Sequence, residues 1–255
     1  MCWSGEASFT IATVGAVAAG YAKYRGKSWD RIIPPLYFCI MEALQGFGYM
    51  YINRCEIEPN QLIALLSYIH ICFQPIFTSI LILSFIEKGE RRNLYSKILY
   101  GSTFLGAFIM LLNMFEIQGL NHCVLGTPFC GNDICTYKGD WHIAWRIPLN
   151  NLDTNYYLSY FIPAIILPVL IGLYAFPTYH MYTGPVLAYF ASNNPSERPA
   201  IWCLLSEFIL LTLYFAPLEN FIIKSSNTYN KKHHIVSILL VALGICLMNL
   251  NLFKG

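Results

Sequence analysis

Long apolar runs separated by short polar stretches constrain this chain more than any other feature of its sequence. A helix needs about 20 apolar residues to cross the hydrocarbon core of a bilayer. Eight segments approach or reach that length, and the first and sixth of them are short. They are Ala7–Ala22, Ile33–Ile52, Gln61–Ile86, Lys97–Glu116, Tyr156–Phe176, Pro177–Ala191, Ala200–Ile223 and Ile235–Leu252. The pattern predicts an all-α, polytopic transmembrane bundle in which residues 1–255 form a single transmembrane domain.

The composition excludes other classes of protein. Only 12% of the residues are charged and 56% are hydrophobic, whereas an average soluble domain has about 25% charged residues. The net charge of +2 is too small to indicate a nucleic-acid partner. We therefore expect the lipid bilayer to surround the chain, and no nucleic acid to bind it.

The basic residues predict an orientation. If all eight segments cross, eleven of the 16 Lys and Arg residues lie on one side, and the excess of positive charge marks the cytoplasmic side. Both termini are then outside. Pro177–Ala191 contains Gly184-Pro185 and could instead be re-entrant, which leaves seven spans and an even distribution of charge. The charge distribution favours eight spans with the N-terminus outside.

The cysteines outside the spans all fall on the predicted outer side. They are Cys2, Cys55, Cys123, Cys130 and Cys135. Cysteines confined to one aqueous face indicate disulfides in an oxidising compartment, so residues 117–154 are predicted to form an extracytoplasmic loop that disulfides hold. The alternative is a zinc site made by the loop cysteines with His122 or His142, although the short spacings typical of zinc ligands are missing.

Three ionisable residues fall inside the spans at a similar predicted depth. Glu42, His70 and Glu207 each lie seven to ten residues from the outer end of their segment, which is about 10–15 Å at 1.5 Å per residue. Ionisable groups at membrane depth usually face an interior cavity or a partner. The sequence therefore predicts that these three side chains converge on one site open to the outer side.

Further polar residues share helical faces with two of them. Gln45 follows Glu42 by three residues, while Ser67 and Gln74 flank His70 at three and four residues. Residues with these spacings lie on one face of a helix. We expect Gln45, Ser67 and Gln74 to orient the ionisable groups.

This set of side chains is compatible with three functions, and whether the protein is an enzyme stays open. His70, Glu42 and Glu207 as ligands of one divalent Zn, Mn or Fe ion would support metal-dependent hydrolysis of a lipid or amphiphile, the leading hypothesis. The same residues as a proton relay would serve a small proton-coupled transporter or channel for a small-molecule solute. A buried hydrogen-bond network in a structural membrane subunit is the third interpretation.

His142 lies in the aromatic stretch Trp141–Trp145 of the outer loop. Tryptophan favours the membrane interface, so an interfacial belt is the first interpretation of this stretch. The alternative is that His142 forms a lid or a fourth ligand above the predicted site.

The opening Met1-Cys2-Trp3-Ser4 resembles the start of a family of small multi-pass membrane proteins with no assigned activity. Similar stretches in that family correspond to Met41–Gln45, Ser67–His70, Trp141–Trp145 and Ala200–Cys203. This resemblance implies a membrane fold and no particular reaction. The placing of Ser67 three residues before His70 is similar, more weakly, to the alkaline ceramidase and progestin-receptor-like membrane hydrolases, which implies zinc chemistry. The H-x-x-x-H pattern that those proteins carry on a late helix does not occur here.

Overall fold

The structure of the chain is a computed structural model. It describes residues 3–117, 130, 134–150, 156–171, 176–213 and 216–227, together with residues 235, 238, 239 and 242.

Four long helices form the N-terminal half of the described chain. They are α1 (Gly5–Tyr24), α2 (Trp29–Met50), α3 (Glu58–Ser84) and α4 (Glu90–Leu112). Each packs against the next along the chain, as short connections between neighbouring helices require. The first four predicted apolar segments overlap these four helices.

Two residues with positive φ redirect the chain between these helices. Gly26 (φ 78°) follows α1 and Asn53 (φ 64°) follows α2. The Lys27 N–H donates to the Ala22 carbonyl at 3.0 Å, a bond typical of a helix that ends at a left-handed glycine. Asparagine tolerates this conformation better than most residues with a side chain, so both turns are encoded locally.

A short antiparallel hairpin lies between α4 and the later helices. Its strands are β1 (Cys135–Lys138) and β2 (Ile143–Arg146), and Cys135 pairs with Arg146 while Lys138 pairs with Ile143. Residues 139–142 connect the strands. Within the described residues the fold is otherwise helical, so the all-α prediction is confirmed except for this hairpin inside the predicted loop 117–154.

The later helices begin with a continuous run that contains two prolines. This run comprises α5 (Tyr156–Phe161), a π-helical turn (Ile162–Ile166) and α6 (Leu167–Leu170). Pro163 and Pro168 lack the backbone N–H that donates a hydrogen bond in an α-helix. A π-helical turn is one local adjustment to the missing hydrogen bond. The remaining helices are α7 (Phe176–Ala191), α8 (Arg198–Leu213) and α9 (Ala216–Asn227). Pro177–Ala191, the segment for which a re-entrant structure was the alternative, lies within α7 and is helical throughout.

Helices α2 and α3 bury polar side chains and expose apolar ones. On α2, Glu42 and Gln45 are fully buried, whereas Ile40 and Phe47 are 51% and 48% exposed. The buried polar residues of α3 are Asn60, Ser67, His70, Gln74, Thr78, Ser79 and Ser84. Surface helices of soluble proteins show the opposite arrangement, with the apolar face directed to the core.

Two helices of the described chain are long and apolar enough to cross a membrane, namely α3 and α4. The most apolar window of α3 is 67% buried, whereas that of α4 is only 28% buried, so α4 presents most of its apolar surface outward. The eight predicted spans are therefore not reproduced by helix length and hydropathy in the described residues. The last predicted segment, Ile235–Leu252, lies almost wholly outside them.

Ion pairs connect three polar segments at one end of the bundle. Glu219 of α9 pairs with both Lys27 and Arg31, and Arg92 pairs with Asp30 at 3.1 Å. We call these five residues the ion-pair end. Lys27, Asp30, Arg31 and Arg92 come from segments whose positive charge predicts one common side, and Glu219 lies near the end of the predicted span Ala200–Ile223. The hairpin lies at the opposite end, where α2 ends and α3 begins.

Candidate functional site

The hairpin is attached to the α2–α3 connection by one covalent bond and several hydrogen bonds. Cys55 and Cys135 form a disulfide. Asn60 donates to the Thr136 carbonyl at 2.7 Å and accepts from the Thr136 N–H at 2.8 Å. Asn53 accepts from the Lys138 N–H at 2.9 Å. The hairpin is therefore fixed to the ends of two helices along strand β1.

The disulfide confirms one prediction about the cysteines. Cys135 is bonded to Cys55 and so is not a zinc ligand, and Cys130 is disulfide-bonded too. Cys39, Cys72 and Cys203 are buried thiols on helices, inside the apolar segments predicted from the sequence. Cys2, Cys123 and Cys246 lie outside the described residues.

Glu197, which lies between α7 and α8, binds the turn of the hairpin. Its fully buried carboxylate accepts hydrogen bonds from the backbone N–H groups of Asp140 (3.2 Å), Trp141 (2.6 Å) and His142. The Ser192 hydroxyl donates to it at 2.5 Å. Hydrogen bonds to an ionised acceptor are stronger than neutral ones, so this carboxylate holds the turn against the helices.

Two glycines allow the hairpin to approach closely. A Cβ atom on Gly139 would lie 2.6 Å from the carboxyl carbon of Glu197, and one on Gly48 of α2 would lie 2.7 Å from Cδ1 of Ile143. Neither position has room for a side chain without movement of a neighbour. Because Gly48 has no side chain, β2 packs directly against α2.

His142 is held by aromatic partners beneath the hairpin. Its Nδ1 shares a 2.6 Å hydrogen bond with the Tyr49 hydroxyl of α2, and the Trp3 ring lies 5.9 Å from its ring. Burial lowers the pKa of His142 from 6.5 to about 3, so the ring is neutral near pH 7. His142 and Trp145 are both buried. These two side chains therefore face the protein interior, and a role of His142 as a lid stays a prediction.

Glu42 lies two helical turns below Tyr49 on the same face of α2. It is fully buried, and within the described residues neither carboxyl oxygen has a hydrogen-bond partner. The Ser8 hydroxyl of α1 lies beside the carboxyl group as a donor toward it, while the Ser8 oxygen accepts from Trp3 Nε1 at 2.9 Å. Gln45 is also fully buried, with both amide atoms unpaired in that same part of the chain. We call Ser8, Glu42, Gln45, Tyr49 and His142 the Glu42 cluster.

His70 has different neighbours. Its Nε2 donates to the Tyr37 carbonyl at 2.6 Å, and the Tyr37 hydroxyl donates to the His70 carbonyl at 2.7 Å. The two rings stack with centroids 3.9 Å apart. A carbonyl only accepts, so Nε2 carries a proton and Nδ1 is the acceptor of the neutral ring. Among the described residues this buried Nδ1 has no partner, and neither has the Ser67 hydroxyl.

Gln74 connects α3 to two other helices. Its Nε2 donates to Sγ of Cys203 on α8 at 3.2 Å, and its Oε1 accepts from the Tyr160 hydroxyl of α5 at 2.9 Å. With Tyr37 and His70, these residues form the His70 cluster. Gln74 therefore has a structural role in joining α3, α5 and α8.

The structure separates the two clusters on α2. Tyr37, the partner of His70, lies five residues before Glu42, which is about 7–8 Å along the helix and about 140° around it. No group of three or more His, Cys, Asp or Glu side chains able to hold a metal ion occurs in the described part of the chain. Glu207 lies on α8, but its side chain is outside the described residues. Glu42 and His70 therefore have different neighbours, and their convergence with Glu207 on one site stays a prediction.

Sequence reasoning missed some members of these clusters and also Glu197, which binds the hairpin turn. Tyr49 follows Glu42 by seven residues, so the helical period alone could have added it to the polar face of α2. Glu197 stands in a polar loop where an exposed carboxylate is the ordinary expectation, and Ser8 and Tyr37 sit among apolar residues. No local pattern marks these three residues.

A family of unknown function, DUF5765, matches residues 6–223 of the chain. The chain belongs to this family. The matched region runs from the start of α1 into α9 and includes both clusters, the hairpin and the ion-pair end. It begins after Met1–Ser4, so the DUF5765 match does not test the resemblance that those residues carry. Neither a curated protein nor a solved structure matches the chain.

Proposed function

We propose that the chain is a multi-pass membrane protein with eight spans, its N-terminus and hairpin on the extracytoplasmic side. The outward apolar surface of α4 and the buried polar residues of α2 and α3 support this proposal. The grouping of basic segments at the ion-pair end supports the orientation, since positive loops face the cytoplasm. A disulfide at the other end suits an oxidising compartment.

Within that architecture, the function that the geometry supports best is proton-coupled transport or conduction through the interior, with Glu42 as the proton-carrying group. The observation that carries it is the complete burial of a carboxyl group whose two oxygens have no partner in the described structure. Buried polar atoms are nearly always hydrogen-bonded. A carboxyl group without such bonds suits a site that water, a proton or a solute occupies during function.

Metal-dependent hydrolysis of a lipid or amphiphile stays a prediction. It requires His70 and Glu207 to approach a common ion, and His70 does offer an unpaired Nδ1 within the described residues. Glu42 belongs to the Glu42 cluster and not to the His70 cluster. A metal site at His70 would therefore need another ligand in place of Glu42.

The test uses the purified full-length protein in proteoliposomes with a pH-sensitive dye inside and a potassium diffusion potential. We expect the wild type to conduct protons and Glu42→Gln to reduce the flux to that of protein-free liposomes. Glu56→Gln, which alters an exposed carboxylate after α2, is the matched control and should retain the flux.

Three outcomes would overturn the transport proposal. Equal proton flux in Glu42→Gln and the wild type would show that Glu42 does not carry the proton. Stoichiometric Zn, Mn or Fe that is lost in His70→Ala would favour the hydrolase instead. A change in thermal stability with no flux in any variant would indicate a structural subunit.

A further inference from the structure

We propose that the Glu42 cluster binds a small protonated amine. This inference rests on the proposed transport function and names the chemical class of its solute. Four observations on the described residues support it: unpaired acceptors, the absence of a basic residue near Glu42 on α1, α2 and α3, the aromatic surroundings and the close packing.

Unpaired acceptors lie next to one another on α2. Glu42 and Gln45 are three residues apart, so their side chains are neighbours on one helical face. Both carboxyl oxygens and both amide atoms are buried and unpaired in the described chain. An ionised carboxylate only accepts hydrogen bonds, whereas an ammonium group only donates them. A primary amine would therefore satisfy the acceptors that the protein leaves open.

When Glu42 is ionised, helices α1, α2 and α3 supply no compensating charge. Helices α1, α2 and α3 carry only two basic residues, Lys23 and Arg31. Arg31 is eleven residues from Glu42, about 16 Å along the helix, and already pairs with Glu219. No basic side chain of these helices is near enough to neutralise Glu42, and a negative ligand would be repelled by it.

The surroundings suit an organic cation better than a metal ion. Trp3 and Tyr49 place aromatic rings beside His142, so the end of the Glu42 cluster next to the hairpin is aromatic. Because His142 is neutral, its ring does not repel a cation. The described oxygen donors are a carboxylate, one amide and the Ser8 hydroxyl, fewer than the six to eight oxygens that Ca²⁺ usually takes.

Close packing of α1 on α2 limits the size of the ligand. A Cβ atom on Gly46, the residue after Gln45, would lie only 2.9 Å from the Phe9 ring. A ligand at Glu42 would therefore have to be small, which favours an ammonium or methylammonium group over a bulky quaternary amine.

The test measures the thermal unfolding of the full-length protein in detergent with added salts. Methylammonium chloride is the probe, tetramethylammonium chloride has the same charge without N–H donors, and sodium chloride matches the ionic strength. We expect a saturable rise in Tm with methylammonium only, present in the wild type and Glu56→Gln and absent in Glu42→Gln.

Each other result overturns the inference. An equal rise with sodium would indicate an inorganic cation site, and an equal rise with tetramethylammonium would remove the role of N–H donors. A rise that persists in Glu42→Gln would place the site elsewhere, and no rise would mean no amine site. Proton flux that depends on Glu42 without any amine effect would leave the transport proposal standing and overturn only the solute class.

Because Glu42→Gln could destabilise the fold, Gln45→Leu serves as a second variant. It keeps the carboxylate and removes the amide acceptor, so we expect a weaker methylammonium effect than in the wild type. An unchanged effect would contradict the assigned geometry.

Discussion

The two ends of the helical bundle are held together by different kinds of interaction. At the hairpin end, a disulfide and buried hydrogen bonds attach the hairpin to α2, α3 and the residues before α8. At the ion-pair end, the side chains of Lys27, Arg31 and Asp30 are 33%, 24% and 33% exposed. Partly exposed ion pairs contribute little and weaken with salt. The hairpin end should therefore be the more rigid of the two, and its stability should depend on redox state and pH instead of salt.

The largest expected effect comes from the disulfide. The double variant Cys55→Ala/Cys135→Ala should lose about 4 kcal/mol of unfolding free energy, because the bond closes a loop of 80 residues. Thermal unfolding of the purified protein in detergent measures the loss.

Addition of a reductant provides the control for this prediction. It should lower the Tm of the wild type more than that of the double variant. Equal reductions in both proteins would show that this bond does not stabilise the hairpin end.

The second effect concerns the carboxylate beneath the turn. Glu197→Gln should cost about 3 kcal/mol, since an amide nitrogen would replace an oxygen that accepts buried N–H groups. Hydrogen–deuterium exchange over residues 139–145 should increase. Glu56→Gln should change neither quantity, and unchanged exchange in Glu197→Gln would contradict the assigned role.

The third effect is a dependence on pH at the hairpin end. The pKa of His142 is lowered by burial from 6.5 to about 3, so below pH 6.5 the unfolded chain takes up a proton that the folded chain does not. Stability is then complete above pH 6.5 and decreases as the pH falls toward 3. The loss should be about 2 kcal/mol between pH 7 and 5.

Thermal unfolding across this pH range measures the effect, with His142→Gln as the comparison. The variant should show a flatter pH profile than the wild type. Parallel profiles would mean that other groups cause the dependence.

The smallest effect is expected at the ion-pair end. Glu219→Gln should cost about 1 kcal/mol at low ionic strength, because both of its partners are partly exposed. Added salt should reduce the difference in unfolding free energy between the wild type and Glu219→Gln. It should leave the difference between the wild type and Glu197→Gln unchanged. A salt response at the hairpin end equal to that at the ion-pair end would refute the comparison.

The helices were predictable because long apolar segments have few other structures available. The hairpin was not predicted, since the aromatic residues Trp141–Trp145 fit an interfacial stretch equally well, although Gly139-Asp140 is a usual turn sequence. Strand pairing depends on contacts with Asn60 and Glu197, which are distant in the sequence.

The candidate site was only partly predictable for a similar reason. Depth along a helix follows from residue counts, and the burial of Glu42, Gln45, Ser67, His70 and Gln74 agrees with their predicted inward direction. The rotation of one helix against another decides which side chains meet, and the sequence alone does not fix it. His70 therefore faces Tyr37, while Glu42 lies beside Ser8.

The contact between Glu197 and the turn has a consequence for biosynthesis. Glu197 leaves the ribosome 55 residues after His142, and all of α7 is made in the interval. The turn is therefore fixed only after α5, α6 and α7 have been made. A nascent chain that ends before Glu197 lacks the acceptor for three backbone N–H groups of the turn.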